Sequence, residues 1–93
     1  MAGFEWDSEK NKRNFQKHRM PLSVGIPVFS DFNRVEFVDS RQDYGEDRYV
    51  TIGVNRYTKI LSVVYTVRHG DTICLISVRP ASKRERDDYH SML

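Results

Sequence analysis

A lone cysteine, Cys74, leaves no partner for an internal disulfide and no means of building a cysteine zinc cage. Long apolar runs are missing too. The longest, Ile60–Val67, has eight residues, against the roughly 20 that a bilayer-spanning helix needs. Met1–Asp7 lacks the apolar stretch of a signal peptide, so a cytoplasmic protein with no membrane partner is expected. No repeat, low-complexity segment or Gly/Ser-rich linker divides the chain, which predicts one domain over residues 1–93. His18, His69 and His90 are scattered and fall in no metal-ligand motif. Asp39, Asp43, Glu46 and Asp47 miss the calcium-loop spacing. No metal and no cofactor is therefore expected. There is also no Gly-rich phosphate loop and no Gly-x-Ser-x-Gly elbow, which argues against nucleotide hydrolysis and serine-hydrolase chemistry.

What is present is a modest core and an uneven charge. Five Phe, five Tyr and one Trp supply enough apolar mass to argue against disorder. The formal net charge of +2 is too small to imply nucleic acid by itself. Its distribution says more: Asp7–Arg19 and Arg79–Arg86 each carry a local net of +3, whereas Asp31–Arg48 carries −3. Two basic ends would form one basic face if the fold brings them together.

The first helix is predicted to start after Asp7, a good N-cap, and to stop by Met20 because Pro21 disfavours helical geometry before it. One of its faces reads Asn11, Asn14, Phe15, His18, which is polar for a core stripe. Ser23–Phe29 has the makings of a second helix, opposed by Gly25 and Pro27. Period-two alternation then predicts four strands, at Val35–Asp39, Arg48–Val54, Lys59–Arg68 and Thr72–Val78. Turns are expected at Tyr44–Asp47, Asn55–Thr58 and His69–Asp71, giving an antiparallel meander. Ser82 and Glu85 form a capping-box pattern that opens a last helix. The expected fold class is α+β: one helix or two, a four-stranded and mainly antiparallel sheet, and a C-terminal helix.

Several residues invite a chemical reading. Trp6 is expected to anchor the approach to the first helix in the core, and Cys74 and Tyr65 to be packed. His18 stands near the negative end of a helix, where a cation is stabilised, but imidazole is also a general acid or base. Arg48, Arg68 and Arg79 each end a strand. Salt bridges to Glu46, Asp47 or Asp71 would account for them singly; together they would make an anion site for a phosphodiester. Strand parity alone does not say which way each one faces.

The order of short blocks along the chain adds a resemblance. Phe4–Asp7 with Lys10, Asn14, Lys17 and His18, then Glu46–Gly53, Val63–Thr66 with Arg68, and Ile76–Ser82 with Glu85, Arg86 and Tyr89 together resemble the BrnT family of bacterial toxins. Ser23–Phe29 departs from that family, which has a helix rich in Glu and Ala there. The resemblance implies a RelE-like fold and a ribonuclease toxin of a type II toxin–antitoxin system that cleaves RNA without metal. It also implies a cognate BrnA-like antitoxin, through which alone operator DNA is bound, in a hetero-oligomer with two copies of each chain. On that reading Arg48, Arg68 and Arg79 bind phosphate and stabilise the transition state. His18 transfers protons, with Glu46 behind it, and Lys10, Lys17 and Arg84 track the RNA backbone. Two rival readings need no catalysis: a nucleic-acid-binding or regulatory module, and a pure interaction domain.

Overall fold

The computed structural model describes residues 3–56 and 59–93. The first helix, α1, spans Ser8–His18 between the caps the sequence predicts. The Asp7 carboxylate accepts from the Lys10 N–H at 3.3 Å, and Arg19 closes the other end in the left-handed conformation at φ 60°. Leu22–Ser30 then winds as a 3₁₀ helix rather than an α-helix. Gly25 explains its presence there: a Cβ at that position would lie 2.8 Å from Val78 Cγ2, so only glycine lets the segment lie this close to the sheet.

The strands are β1 (Phe4–Trp6), β2 (Val35–Val38), β3 (Tyr49–Val54), β4 (Ile60–Arg68) and β5 (Thr72–Pro80), in the order β1-β5-β4-β3-β2. The four expected strands are antiparallel neighbours. The fifth, β1, was not expected: three residues are too few to show a period. It pairs with β5 in parallel, so the sheet is mixed. Trp6 ends β1 and stays 39% exposed, so it does not anchor the core as expected. The hairpin loop expected at 55–58 falls partly outside the described residues; Asn55 and Lys59 hydrogen-bond at its base. At the next hairpin His69 (φ 56°) and Gly70 (φ 83°) take the left-handed conformations that reverse the chain. The last helix, α2, covers Lys83–Ser91 and opens with the full Ser82–Glu85 capping box.

Each face of the sheet carries its own apolar cluster. On one, Leu61, Val63, Tyr65, Leu75 and Val78 pack under Leu22 and Val28 of the 3₁₀ segment. On the other, Val50, Ile52 and Val64 pack with Ala81 and Tyr89 at the α2 end. Asp31 fastens that second layer: its Oδ2 accepts from the Tyr89 hydroxyl at 2.6 Å and from the Val54 N–H at 2.9 Å. Burial, reinforced by this carboxylate, pushes the Tyr89 hydroxyl up to about 12.

Two details of β5 position the site. Register shifts by one residue between Val64 and Tyr65: Val64 pairs with Ser77 but Tyr65 with Leu75, so Ile76 is the extra residue of a β-bulge. Unbroken alternation would put Leu75, Ser77 and Arg79 on one face. The bulge instead leaves Leu75 and Val78 in the core under the 3₁₀ segment and turns Ser77 and Arg79 to the other face. Beyond Trp6, moreover, β5 has no strand beside it, and α1 takes over. Asn14 Nδ2 donates to the carbonyls of Val78 (2.8 Å) and Met20 (2.9 Å), while its Oδ1 accepts from the Val78 N–H at 3.0 Å. The polar stripe on α1 is thus a substitute strand edge. Asn11 adds to it by accepting from the Leu22 N–H at 2.8 Å.

Candidate active site

The register settles what strand parity left open. Arg79 pairs with Ser62, and Arg68 shares its face of β4 with Ser62, Val64 and Thr66, so both arginines are on the face that α2 partly covers. They are not together. Six residues of extended chain separate Ser62 from Arg68, about 20 Å at the usual rise per residue. The strand-end arginines therefore form two groups.

The first group is Glu46, Arg48 and Arg68. Glu46 accepts from Arg48 Nε at 3.2 Å and from Arg68 at 3.4 Å, and the Arg48 guanidinium sits 4.0 Å from the centre of the Tyr44 ring. Burial raises the Glu46 carboxyl, but the hydrogen bonds and charges of the two arginines together outweigh it and hold the group below its ordinary value. The anionic form of Glu46 is thus favoured by the two cations on either side of it.

The second group lies where α1 meets the bulged part of β5. Lys10, Arg13, Asn14, Lys17 and His18 line a groove of about 270 Å³ with Ile76 and Ser77. Lys10, Arg13 and Lys17 belong to no ion pair among the described residues. Ser77 also lines a neighbouring cavity of about 320 Å³, which contains Arg79, Glu85, Ser62, Arg41 and Asp39. Arg79 is fixed by a two-pronged pair to Glu85 (2.7 and 2.9 Å) and also donates to the Pro80 carbonyl. Its Nε–H and one terminal N–H are left over from these three bonds. The His18 imidazole is lowered from its ordinary value, first by burial and then by the charges of Lys17 and Arg79.

Of the residues singled out by sequence, His18, Lys10 and Lys17 line one groove, and Arg79 lines the neighbouring cavity that shares Ser77 with it. Glu46, Arg48 and Arg68 stand in the separate cluster. Arg84 is exposed on α2 and lines neither cavity. Sequence reasoning missed Arg13, Ser62, Ser77, Arg41 and Glu85 as members of the site. Only Glu85 carried a signal, as the capping partner of Ser82. No group of three or more His, Cys, Asp or Glu able to hold a metal occurs among the described residues. Nor is any described helix long and apolar enough to cross a membrane.

A family model for the BrnT ribonuclease toxin of type II toxin–antitoxin systems matches residues 6–85. The chain belongs to the BrnT family. It is a ribonuclease toxin of a toxin–antitoxin system, neutralised by its antitoxin, as the resemblance implied, and the rival readings without catalysis give way. BrnT toxins pair with BrnA antitoxins and act on RNA. The fold is similar to a crystal structure of the Brucella abortus ribonuclease toxin BrnT, with a TM-score of 0.69 at 24% identity, covering 89% of this chain and 100% of that one. No curated protein sequence matches the chain. The α+β architecture of this BrnT chain, with helices flanking a mixed sheet, is the RelE-like one that the resemblance implied.

Proposed function

We propose that this BrnT chain cleaves RNA without metal in the groove between α1 and β5, using His18 as proton acceptor and Arg79 as the principal cation at the phosphate. The observation that carries this reading is a histidine whose charged form is disfavoured, in a groove adjoining the cavity of a guanidinium held in one orientation by Glu85. The unpaired Lys10, Arg13 and Lys17 beside them offer the salt-sensitive, sequence-independent attraction an RNA backbone requires.

In the reaction the ribose 2′-oxygen attacks the adjacent phosphorus, its proton passes to the free imidazole nitrogen of His18, and the bond to the leaving 5′-oxygen breaks. The leaving oxygen takes up a proton, and a 2′,3′-cyclic phosphate is formed. Negative charge grows on the non-bridging oxygens on the way, and the two spare N–H groups of Arg79 meet it already oriented. Arg48 and Arg68, clamped by Glu46, contact the chain farther along the strand, so Glu46 orients cations rather than moving protons.

Two outcomes test this. Purified protein in excess EDTA should cut RNA at its full rate and leave 2′,3′-cyclic ends, detected by their resistance to enzymes that require a free 3′-hydroxyl. Loss of cutting in EDTA with recovery on adding magnesium would refute the metal-free chemistry. The second outcome concerns pH. A base must be unprotonated, so kcat/KM should rise with pH through the lowered His18 value and be level by neutrality. The acid limb thus lies below about 6.5, the ordinary histidine value. His18→Gln should abolish that limb and lower kcat/KM about a hundredfold or more. An unchanged acid limb in this variant would assign the proton to another group.

A further inference from the structure

We propose that the cavity beside Arg79 seats one nucleobase of the RNA, which Phe37 holds by stacking and Ser62 selects. This rests on the reading of the adjoining groove as the cleavage site. The cavity has an apolar side made by Phe37, Val50 and Val64 and a polar one that includes Ser62 and Ser77.

Ser62 is the telling residue. It is 1% exposed, lies opposite Ile52 on one neighbouring strand and Arg79 on the other, and its hydroxyl has no hydrogen-bond partner among the described residues. A buried hydroxyl without a partner weakens a fold, and a β-branched apolar residue would suit a central strand better. The stability of the protein gives no reason for it. A hydroxyl can both donate and accept, which is what reading the polar edge of a heterocycle needs. Phe37, on the edge strand β2 opposite Val50, is 48% exposed, leaving ring surface on which a base can stack.

Charge selects a base over a phosphate as the occupant. Both arginines in the cavity are already paired with carboxylates, Arg79 with Glu85 and Arg41 with Asp39. Apart from the two spare N–H groups of Arg79, which are turned to the phosphate, it therefore offers a neutral ring flanking dipoles rather than an excess of cation. The unpaired cations lie next door in the groove, and Ser77 lines both. A nucleotide lying across Ser77 would put its phosphate between the lysines and the spare N–H groups of Arg79, and its base against Ser62.

The test uses purified wild type and the variants Ser62→Ala and Phe37→Ala. A random-sequence RNA pool is cut to low extent and the new ends are sequenced. Amide shifts of the wild type are also followed while each of the four nucleoside 3′-monophosphates is added. The wild type should favour one base at a fixed position beside the cut, and the matching nucleotide should shift the amides of Phe37, Ser62 and Ser77 most. Ser62→Ala should reduce that preference about tenfold, the worth of one hydrogen bond, while its thermal midpoint holds or rises. A merely structural serine would lower the midpoint and leave the preference alone. Phe37→Ala should raise KM for every base. RNA cutting with a base preference that Ser62→Ala leaves unaltered and a KM that Phe37→Ala leaves unaltered would overturn the base pocket while leaving the cleavage reading standing. Base-selective shifts at Ser62 in a protein that cuts no RNA would uphold the pocket and refute the cleavage reading.

Discussion

Arg79→Ala is expected to lower kcat/KM for RNA cleavage about a hundredfold while leaving the fold intact. Removing one oriented donor from a developing oxyanion typically costs about 3 kcal/mol of transition-state stabilisation, a little over a hundredfold in rate. The loss to stability should be far smaller. The Arg79–Glu85 pair is partly exposed to solvent, with the arginine side chain 38% accessible, and such pairs contribute about 1 kcal/mol or less. Glu85 also keeps its second task, since its Oε1 accepts from the Ser82 N–H at 2.8 Å and holds the α2 cap closed. Arg79→Lys separates charge from geometry: a lysine keeps the cation but not the fork that reaches Glu85 and the phosphate at once. Its activity should fall between wild type and Arg79→Ala. The measurements are steady-state cleavage of a short RNA and thermal unfolding followed by circular dichroism. A drop of more than about 8 °C in midpoint for Arg79→Ala, corresponding to 1 kcal/mol or more in a domain this size, would mark the arginine as structural.

The sequence shows α1, the four antiparallel strands of the sheet and the α2 cap through local chemistry. Asp7, Pro21, the His69–Gly70 reversal and the Ser82–Glu85 box each act within a few residues of themselves. What it hides depends on contacts between distant segments. β1 exists because β5 offers an edge at Ile73–Leu75, and nothing in Phe4–Trp6 alone announces that pairing. The bulge at Ile76 is equally silent, since one extra residue in a strand has no composition of its own. Yet it decides that Arg79 points away from Leu75. The same gap in information explains the arginines. Three similar residues at three strand ends look like one site, and only the register separates Arg68 from Arg79 along β4. Of the second basic stretch only Arg79 comes near α1, through the cavity that shares Ser77 with the groove; Lys83, Arg84 and Arg86 line neither. The acidic middle of the chain is largely spent on internal partners: Asp31 on Tyr89, Asp39 on Arg41, Glu46 on Arg48 and Arg68. The two-pronged bond from Arg41, opposed by burial and aided by Tyr44, takes the Asp39 carboxyl down to about 2.

Asn14→Leu should strongly destabilise the fold. Leucine matches asparagine closely in shape but makes none of its three bonds. The Val78 N–H, the Val78 carbonyl and the Met20 carbonyl would then lose their side-chain partner where β1 no longer flanks β5. Leaving a buried polar group unsatisfied costs about 1–3 kcal/mol. With some relief from water at Met20, about 3–5 kcal/mol is expected in total, a large part of the roughly 5–15 kcal/mol that holds a small domain together. The thermal midpoint should fall by about 15–30 °C. Asn14→Asp supplies the control. Its carboxylate still accepts from the Val78 N–H but faces two carbonyl oxygens with no proton to give. The acid form restores a donor, so the folded state raises the aspartate above its unfolded value near 3.9. A group raised in this way contributes its stability at low pH and loses it as pH rises through the folded value. Asn14→Asp should therefore approach wild type at about pH 4.5 and fall well below it at about pH 7.5, whereas the Asn14→Leu deficit should vary little. Equal deficits at both pH values in Asn14→Asp would mean that Val78 is not held through these bonds. Because Asn14 ties α1 to the residue between Ser77 and Arg79, the same variants should lose RNA cleavage with the fold, and Asn14→Asp should hold His18 and Arg79 together best under acid conditions.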